Sequence, residues 1–191
     1  MRKKYYAVII SSALVMMIGL GFMIYPKATN WNYALSQMRL ETAGGNARAA
    51  VKVADEDVSI PEGVVCRLLI PKIGLRTNVL SGTGPEILKK GAGHYEETPL
   101  PGEKGNCAIA GHRTMHGHPF RYLDDLNRGD EIIVYTADGK HVYRVTEKKV
   151  VKPTDLSVIA PSEEAKLTLT ACHPVGSARQ RLVVVAQLGE E

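Results

Sequence analysis

A run of 21 residues without a charge, residues 5–25, lies close to the amino terminus and limits how this chain can be arranged. At a rise of about 1.5 Å per residue, a helix of this length spans roughly 30 Å, the thickness of the hydrocarbon core of a bilayer. A cleaved signal peptide has a shorter apolar region, about 7–15 residues, and ends at a small-x-small site. Residues 23–26 offer no such site. We therefore expect residues 1–26 to form a cytoplasmic tip and an uncleaved, single-pass signal anchor in the cell membrane.

The charges beside this run predict its orientation. Arg2, Lys3 and Lys4 precede it, and the positive-inside rule keeps such a cluster in the cytoplasm. The carboxyl-terminal bulk of the chain is then extracellular. The same three residues account for most of the excess of 24 Lys and Arg over 20 Asp and Glu. The remainder is nearly neutral and lacks the concentrated basic face of a nucleic-acid-binding protein, so we expect no nucleic-acid partner.

Residues 27–60 and residues 61–191 differ in pattern. The first segment has no sustained apolar period, and the pair Gly44 and Gly45 ends any helix begun before it. We expect a juxtamembrane spacer with at most one short helix. The second segment contains short apolar runs separated by Gly and Pro, a pattern typical of strands. These runs are residues 65–70, 75–80, 106–110, 131–136, 140–151, 166–171 and 182–188.

Helical signals in the second segment are brief and cover residues 85–90, 120–126 and 153–159. Asp138 and Gly139 stand between two strand-like runs, which predicts a hairpin. Many short strands with few helices indicate an all-β domain, and the pattern alone leaves both a closed barrel and a sandwich open.

The chain has three cysteines, Cys66, Cys107 and Cys172. Because the number is odd, at least one thiol of this outward-facing domain must be buried, paired with another chain or reactive. Cys66 and Cys107 stand among small or apolar neighbours, which indicates packing in the core. In residues 166–172, alternation along a strand places Cys172 with the threonines, on the face opposite the leucines. From this run alone, a core role and a reactive role for Cys172 both remain open.

Two histidines are candidates for a proton partner of a thiol. His112 follows Gly111 at the end of an apolar run, a good position to face a cleft, although a surface role is equally compatible with the pattern. His94 is its chief competitor. His116 and His118 suggest a metal, but zinc needs three or four ligands, and no firm further ligand accompanies them. We expect no metal site and no cofactor.

Arg181 opens the last strand-like run, and Arg179 lies in the loop before it. A loop as short as the one after Cys172 can return the chain to an adjacent antiparallel strand, which would bring a guanidinium beside the thiol. Arg181 has the better position because it begins the strand. A thiol, an imidazole and a guanidinium together form the pattern of an activated nucleophile.

These residues in this order resemble the sortase family of cysteine transpeptidases. Residues 168–172 read Thr-Leu-Thr-Ala-Cys and are followed by Arg181, which is similar to the sortase signature T-L-x-T-C followed by an arginine. Ala171 stands where many members have Thr. Residues 110–113, Ala-Gly-His-Arg, resemble the family's region around its catalytic histidine. The likeness is greatest to the class D and class E sortases.

The resemblance covers about residues 64–188 and implies both a fold and a site. The implied fold is all-β, an eight-stranded sortase-type β-barrel with a few short helices, preceded by an amino-terminal transmembrane helix. Residues 61–191 would then be the extracellular catalytic domain. The implied catalytic residues are His112, which takes this role rather than His94, together with Cys172 and Arg181. The candidate substrate-binding residues are Thr170, Ala171 and His173.

The implied reaction cleaves a sorting signal of the Leu-x-x-Thr-Gly kind, such as Leu-Ala-x-Thr-Gly, between Thr and Gly through a thioacyl intermediate. The partners implied are secreted proteins with a carboxyl-terminal sorting signal, a cell-wall precursor or other amine, and the membrane around the amino-terminal helix.

Four alternatives remain. A cysteine hydrolase could use the same site, and a membrane-tethered scaffold could carry it without catalysis. A pilus-polymerising sortase is less expected because residues 27–60 lack an Asp-Pro-aromatic lid. The L,D-transpeptidases have the pattern S-x-G-C-x-R, whereas residues 170–173 read Thr-Ala-Cys-His.

Overall fold

The computed structural model describes residues 2–43 and 60–189, and eight strands of the second range close into a barrel. In chain order the strands are β1 (Val64–Ile70), β2 (Leu75–Ser81), β3 (Ala92–His94), β4 (Asn106–Gly111), β5 (Glu131–Thr136), β6 (Gly139–Val151), β7 (Lys166–His173) and β8 (Gln180–Leu188). Around the barrel they follow the order β1-β2-β3-β4-β7-β8-β6-β5. Closure gives every strand two neighbours and so satisfies the sheet edges. The predicted eight-stranded barrel is confirmed.

Short elements connect the strands. The predicted hairpin at Asp138 and Gly139 joins β5 to β6, with Thr136 paired to Gly139. Three of the four short helices lie within the brief helical signals of the sequence. They are a 3-10 helix at Pro71–Ile73, α2 at Pro85–Leu88, and 3-10 helices at Leu123–Asp125 and Leu156–Ile159.

The inner face of the barrel is the hydrophobic core. On β7, Leu167, Leu169 and Ala171 point into it, as the alternation of the sequence predicts. The same parity places Cys107 and Ile109 of β4 in the core. The remaining side chains of these strands therefore lie on the outer face.

The outer face of β7 is also covered, which the sequence did not predict. Thr168 is 1% exposed, and its hydroxyl donates to Asn106 Oδ1 at 2.7 Å. Asn106 Nδ2 donates in turn to the carbonyl oxygens of Val158 and Ala160, both at 3.0 Å. The segment after β6 thus covers part of this face, and the threonine face becomes a second, polar buried layer.

A long helix, α1 (Arg2–Ala43), precedes the barrel and runs without a break for 42 residues. Within the described ranges it is the one helix long and apolar enough to cross a membrane by length and composition, over Ser12–Arg39. Large apolar side chains such as Leu14 and Met16 are exposed on it. A helix in water would bury such side chains along one face, so α1 is a candidate membrane anchor.

The helix continues past Pro26, where we expected the anchor to give way to a spacer. Residues 27–43 belong to α1, and the rest of the expected spacer, residues 44–59, lies outside the described residues. A proline inside a helix typically costs about 3 kcal/mol. The second half of α1 also makes contacts with the barrel.

These contacts come from a docking segment, residues 30–37 of α1. The hydroxyl of Tyr33 bonds to Thr77 Oγ1 at 2.7 Å, and Asn30 Oδ1 accepts from the backbone N–H of Gly117 at 3.0 Å. Two further bonds join Ser36 Oγ to Lys90 O at 3.2 Å and Asn78 N to Gln37 Oε1 at 3.0 Å. The docking segment therefore touches β2, the turn before β3 and the loop after β4.

Candidate active site

Two of the residues predicted to be catalytic lie on neighbouring strands, Cys172 on β7 and Arg181 on β8, and His112 directly follows β4. β7 is parallel to β4 and antiparallel to β8, so the ends of β4 and β7 and the beginning of β8 meet at one edge of the barrel. In the register of β7 and β8, Cys172 stands directly opposite Arg181. In the register of β4 and β7, Gly111 is level with Ala171. His112, the next residue, therefore follows at the level of Cys172.

Alternation directs the three side chains to the outer face. Ala171 and Leu182, the chain neighbours of Cys172 and Arg181, point into the core, so the thiol and the guanidinium point outward. Gly111 also faces inward, because a Cβ on it would lie 2.6 Å from the ring of the core residue Phe120. Continued alternation places His112 on the outer side.

The three cysteines differ in burial. Cys66 and Cys107 are 0% and 1% exposed, and burial raises the pKa of the Cys66 thiol and raises that of Cys107 to about 12. Both are free thiols that stay protonated and pack in the core, as predicted. Cys172 is also free but only partly buried. Of the three cysteines, Cys172 is the one that is not fully buried.

His112 is partly buried and has a second imidazole beside it. Its ring centroid lies 5.2 Å from that of His116, with the planes tilted by 45°. Burial lowers the pKa of His112, and the positive charge of His116 lowers it further. The unprotonated imidazole is therefore favoured in the free protein, a form that can accept a proton from a thiol.

Arg181 is anchored by the backbone of the loop that precedes it. Its Nη1 donates to the carbonyl oxygens of Ala178 and Gln180, each at 3.2 Å. Arg179 is exposed and lies in the loop itself. Of the two candidate arginines, Arg181 is the one in register with Cys172.

The candidate substrate-binding residues have three different environments. Thr170 is 5% exposed, with its hydroxyl 3.3 Å from that of Tyr95. Ala171 belongs to the core and is 3% exposed. His173 is partly buried, and its Nδ1 lies 3.2 Å from Nη1 of Arg113. A substrate contact by these residues stays a prediction.

His94, the competitor of His112, has a structural setting. It lies on β3, is 3% exposed, and its Nε2 is 3.0 Å from the carbonyl oxygen of Pro99, to which it donates. Its ring thus holds the loop after β3. Among residues 2–43 and 60–189, no group of three or more His, Cys, Asp or Glu is placed to hold a metal ion.

Arg113 was missed as a functional candidate. It is 2% exposed, and its Nη2 forms an ion pair with Asp124 at 2.6 Å. Burial of Asp124 would raise the pKa of that carboxyl, but the hydrogen bond from Arg113 holds it below its ordinary value. An arginine in a polar loop is normally exposed, and no spacing in the sequence joins it to Asp124 or to His173.

The fold and this site have counterparts among known proteins. A family model of the sortase domain matches residues 68–189. Sortase D of Bacillus subtilis (strain 168) is 29% identical over 195 residues, which covers 96% of this chain and 97% of that protein.

Two solved structures are also similar. A Clostridium perfringens sortase D5 transpeptidase superposes with a TM-score of 0.65 at 28% identity and covers 83% of this chain and 98% of its own. Sortase E from Streptomyces avermitilis superposes with a TM-score of 0.60 at 39% identity, covering 66% of this chain and 88% of its own.

This closed barrel, with the partly buried Cys172 at the edge shared by β4, β7 and β8, matches the domain of a class of cysteine transpeptidases. The chain belongs to the sortase family, since the family model covers more than half of it. Its likeness to sortases D and E confirms the classes predicted from the sequence. Enzymes of this family act on proteins with sorting signals in cell-wall anchoring.

Proposed function

We propose that this sortase cleaves a Leu-x-x-Thr-Gly-like sorting signal, with Leu-Ala-x-Thr-Gly as one form, between Thr and Gly and transfers the protein to an amine of a cell-wall precursor. Cys172 is the nucleophile, His112 its proton partner and Arg181 the oxyanion stabiliser. The register that sets Cys172 opposite Arg181 and brings His112 to the same level carries the proposal. The raised pKa values of the two core thiols further support Cys172 as the nucleophile.

The first step is acylation. The thiol proton of Cys172 passes to His112, and the thiolate attacks the carbonyl carbon of the substrate threonine. A carbon–sulfur bond forms, the carbon–nitrogen bond to glycine breaks, and His112 gives its proton to the leaving amine. The product is a thioacyl enzyme and a free glycine amine.

Arg181 acts while negative charge builds on the carbonyl oxygen. Its Nη1 is held by the carbonyls of Ala178 and Gln180, so Nε and Nη2 supply the donors for the oxyanion. Charge-assisted donors fixed in advance stabilise such a charge without reorganising during the reaction.

The second step is transfer. The amine of the cell-wall precursor attacks the thioacyl carbon and loses a proton to His112, which returns it to the sulfur as the carbon–sulfur bond breaks. A new amide forms and the Cys172 thiol is restored. Because the acyl transfer is split into two steps, each step has a lower activation barrier than a direct exchange would have.

We place the barrel on the extracellular side of the cell membrane, with α1 as a single-pass anchor. The exposed apolar side chains of α1 support the anchor. Arg2, Lys3 and Lys4 support the orientation, because such a cluster stays in the cytoplasm. The site then lies where secreted substrates and cell-wall precursors are found.

Mass spectrometry of the protein with Leu-x-x-Thr-Gly and Leu-Ala-x-Thr-Gly peptides, with and without an added amine, tests the reaction. We expect a thioacyl adduct on Cys172 and an amide product that depends on the amine. Cys172→Ala should form neither. Substantial turnover by Cys172→Ala would exclude Cys172 as the nucleophile. If the peptide is released as a carboxylic acid at the same rate with and without the amine, the enzyme is a hydrolase.

A matched pair of arginine variants tests the oxyanion role. Arg181→Lys keeps the charge but loses the planar fork, and we expect kcat to fall by about 10²–10³, the typical effect of losing one oxyanion donor. Arg179→Ala should stay close to the unchanged protein, because Arg179 is exposed in the loop. A larger loss in Arg179→Ala would show that the wrong arginine was assigned.

A further inference from the structure

We propose that Arg113 is a positioning residue that locks the loop carrying His112 to the strand carrying Cys172, through His173. This inference rests on the proposed function. Arg113 directly follows His112, and His173 directly follows Cys172. The bond between Arg113 Nη1 and His173 Nδ1, 3.2 Å long, therefore joins the two backbone segments that present the reacting groups.

The other donors of Arg113 tie together the histidine loop, defined here as residues 112–122. Nη2 donates to the carbonyl oxygen of Arg121 at 3.0 Å and to Asp124 Oδ1 at 2.6 Å. Nε points to the same carbonyl of Arg121 at 3.4 Å. One guanidinium thus links the beginning of the loop, its end, the 3-10 helix after it and the end of β7.

Burial makes this linkage rigid. The side chain of Arg113 is 1% exposed, so water cannot readily replace a lost partner. A planar guanidinium also fixes the directions of its donors, which a flexible ammonium does not. The histidine loop and the end of β7 are therefore held in one relative position.

The contact also sets the tautomer of His173. Arginine has only donors, so Nδ1 of His173 must accept and its ring proton must be on Nε2. A His173 protonated on both nitrogens cannot make this bond. His173 thereby acts as an acceptor that receives the guanidinium, in addition to any contact with substrate.

This lock matters because the proton transfer between Cys172 and His112 depends on their separation. A displacement of about 1 Å in a reacting geometry can cost about 100-fold in rate. The lock acts on the chemical step rather than on substrate capture, so its loss should appear in kcat. A purely structural role for Arg113 would instead lower the melting temperature and leave kcat unchanged well below that temperature.

The test uses the full-length protein in detergent and three variants. His173→Ala removes the acceptor, His173→Asn keeps an acceptor near the position of Nδ1, and Arg113→Lys removes the fork. We expect Arg113→Lys, which leaves the candidate substrate-binding residue His173 in place, to lower kcat for peptide transfer by about 10- to 100-fold with KM little changed. His173→Ala should lower kcat by a similar factor. His173→Asn should recover most of that loss.

Wild-type kcat in His173→Ala, or a kcat in folded His173→Asn as low as in His173→Ala, would overturn the lock. If Arg113→Lys does not fold, the two His173 variants decide. Turnover by Cys172→Ala, or absence of transfer by the unchanged protein, would refute the proposed function instead. The lock is then judged by the rate at which iodoacetamide alkylates Cys172, which must fall in His173→Ala and recover in His173→Asn.

Discussion

Cys66, Cys107 and Cys172 carry the same side chain in three settings. The first two are enclosed by the core, and burial keeps their thiols protonated. Cys172 lies at the end of β7, opposite an arginine and level with the residue that follows β4. The difference in reactivity that we expect among them comes from position in the barrel.

His112 shows the same dependence on surroundings, and its titration can be tested. Its pKa is lowered by burial and by the charge of His116. His116→Gln removes that charge, so we expect the pKa of His112 to rise while burial still keeps it below its ordinary value. An NMR titration of the His112 ring measures this change.

The pH dependence of kcat/KM depends on how many protons Cys172 and His112 hold together. The reactive site holds one proton between Cys172 and His112, and acidification adds a second proton to His112. A higher pKa of His112 in His116→Gln therefore moves the acid limb of kcat/KM to higher pH. His118→Gln is the matched control, because His118 has a similar backbone conformation, with φ 41° against 49° for His116. An equal shift of the acid limb in His116→Gln and His118→Gln would contradict the specific coupling of His112 to His116.

Among the elements, α1 is a candidate membrane anchor and also contacts the barrel. Its docking segment bonds to β2 through Tyr33 and to the histidine loop through Asn30. Gly117 of that loop has φ +72°, and a Cβ on it would lie 2.0 Å from the ring of Tyr33. The absence of a side chain at Gly117 is what lets α1 approach the loop.

Two glycine variants test this packing. Gly129 also has a positive φ, +92°, but a Cβ there would meet nothing within 4 Å. Gly129→Ala should lower the free energy of unfolding by about 1–2 kcal/mol from backbone strain alone. Gly117→Ala should cost about 1–3 kcal/mol more because its Cβ also overpacks against Tyr33.

The comparison is repeated in the Tyr33→Ala background. There the two glycine variants should have similar costs, because the ring that clashes is gone. Denaturant unfolding in detergent measures the free energies of all six full-length proteins: the unchanged protein, Tyr33→Ala, and each glycine variant in both backgrounds. A gap between Gly117→Ala and Gly129→Ala that persists without the Tyr33 ring would show that α1 does not pack on the histidine loop.

For the molecule as a whole, the position of the site relative to the membrane follows from our proposal that α1 is an anchor. α1 carries exposed apolar side chains over the candidate span, and the barrel follows it. The docking segment of α1 bonds directly to the barrel through Tyr33 and Asn30.

Labelling of intact cells tests this arrangement. A membrane-impermeant maleimide should modify Cys172, because this residue is only partly buried and, in our proposal, extracellular. Cys66 and Cys107, at 0% and 1% exposed, should react only after denaturation. Cys172→Ala serves as the unlabelled control. Modification that requires permeabilised cells would place the barrel in the cytoplasm.

Much of the barrel could be predicted from residue patterns, and the exceptions have physical causes. The strand-like runs and the Asp138-Gly139 hairpin were predicted because they depend on neighbours a few residues away. The length of α1 was underestimated, since the docking segment is stabilised by residues of β2 and the histidine loop that lie far along the chain. The buried Arg113 escaped notice for the same reason, because its partner His173 is 60 residues away.

The amino-acid order alone therefore determined seven of the eight strands, the apolar run of the candidate anchor and the chemical types available for a nucleophilic site, all of which follow from periodicity and composition over short stretches. The three-residue strand β3 was not predicted. Folding in three dimensions settled the closure of the barrel, the pairing of Cys172 with Arg181, the coupling of His112 to His116 and the lock at Arg113. These features depend on contacts between segments that are far apart in the chain, so short patterns of residues cannot predict them.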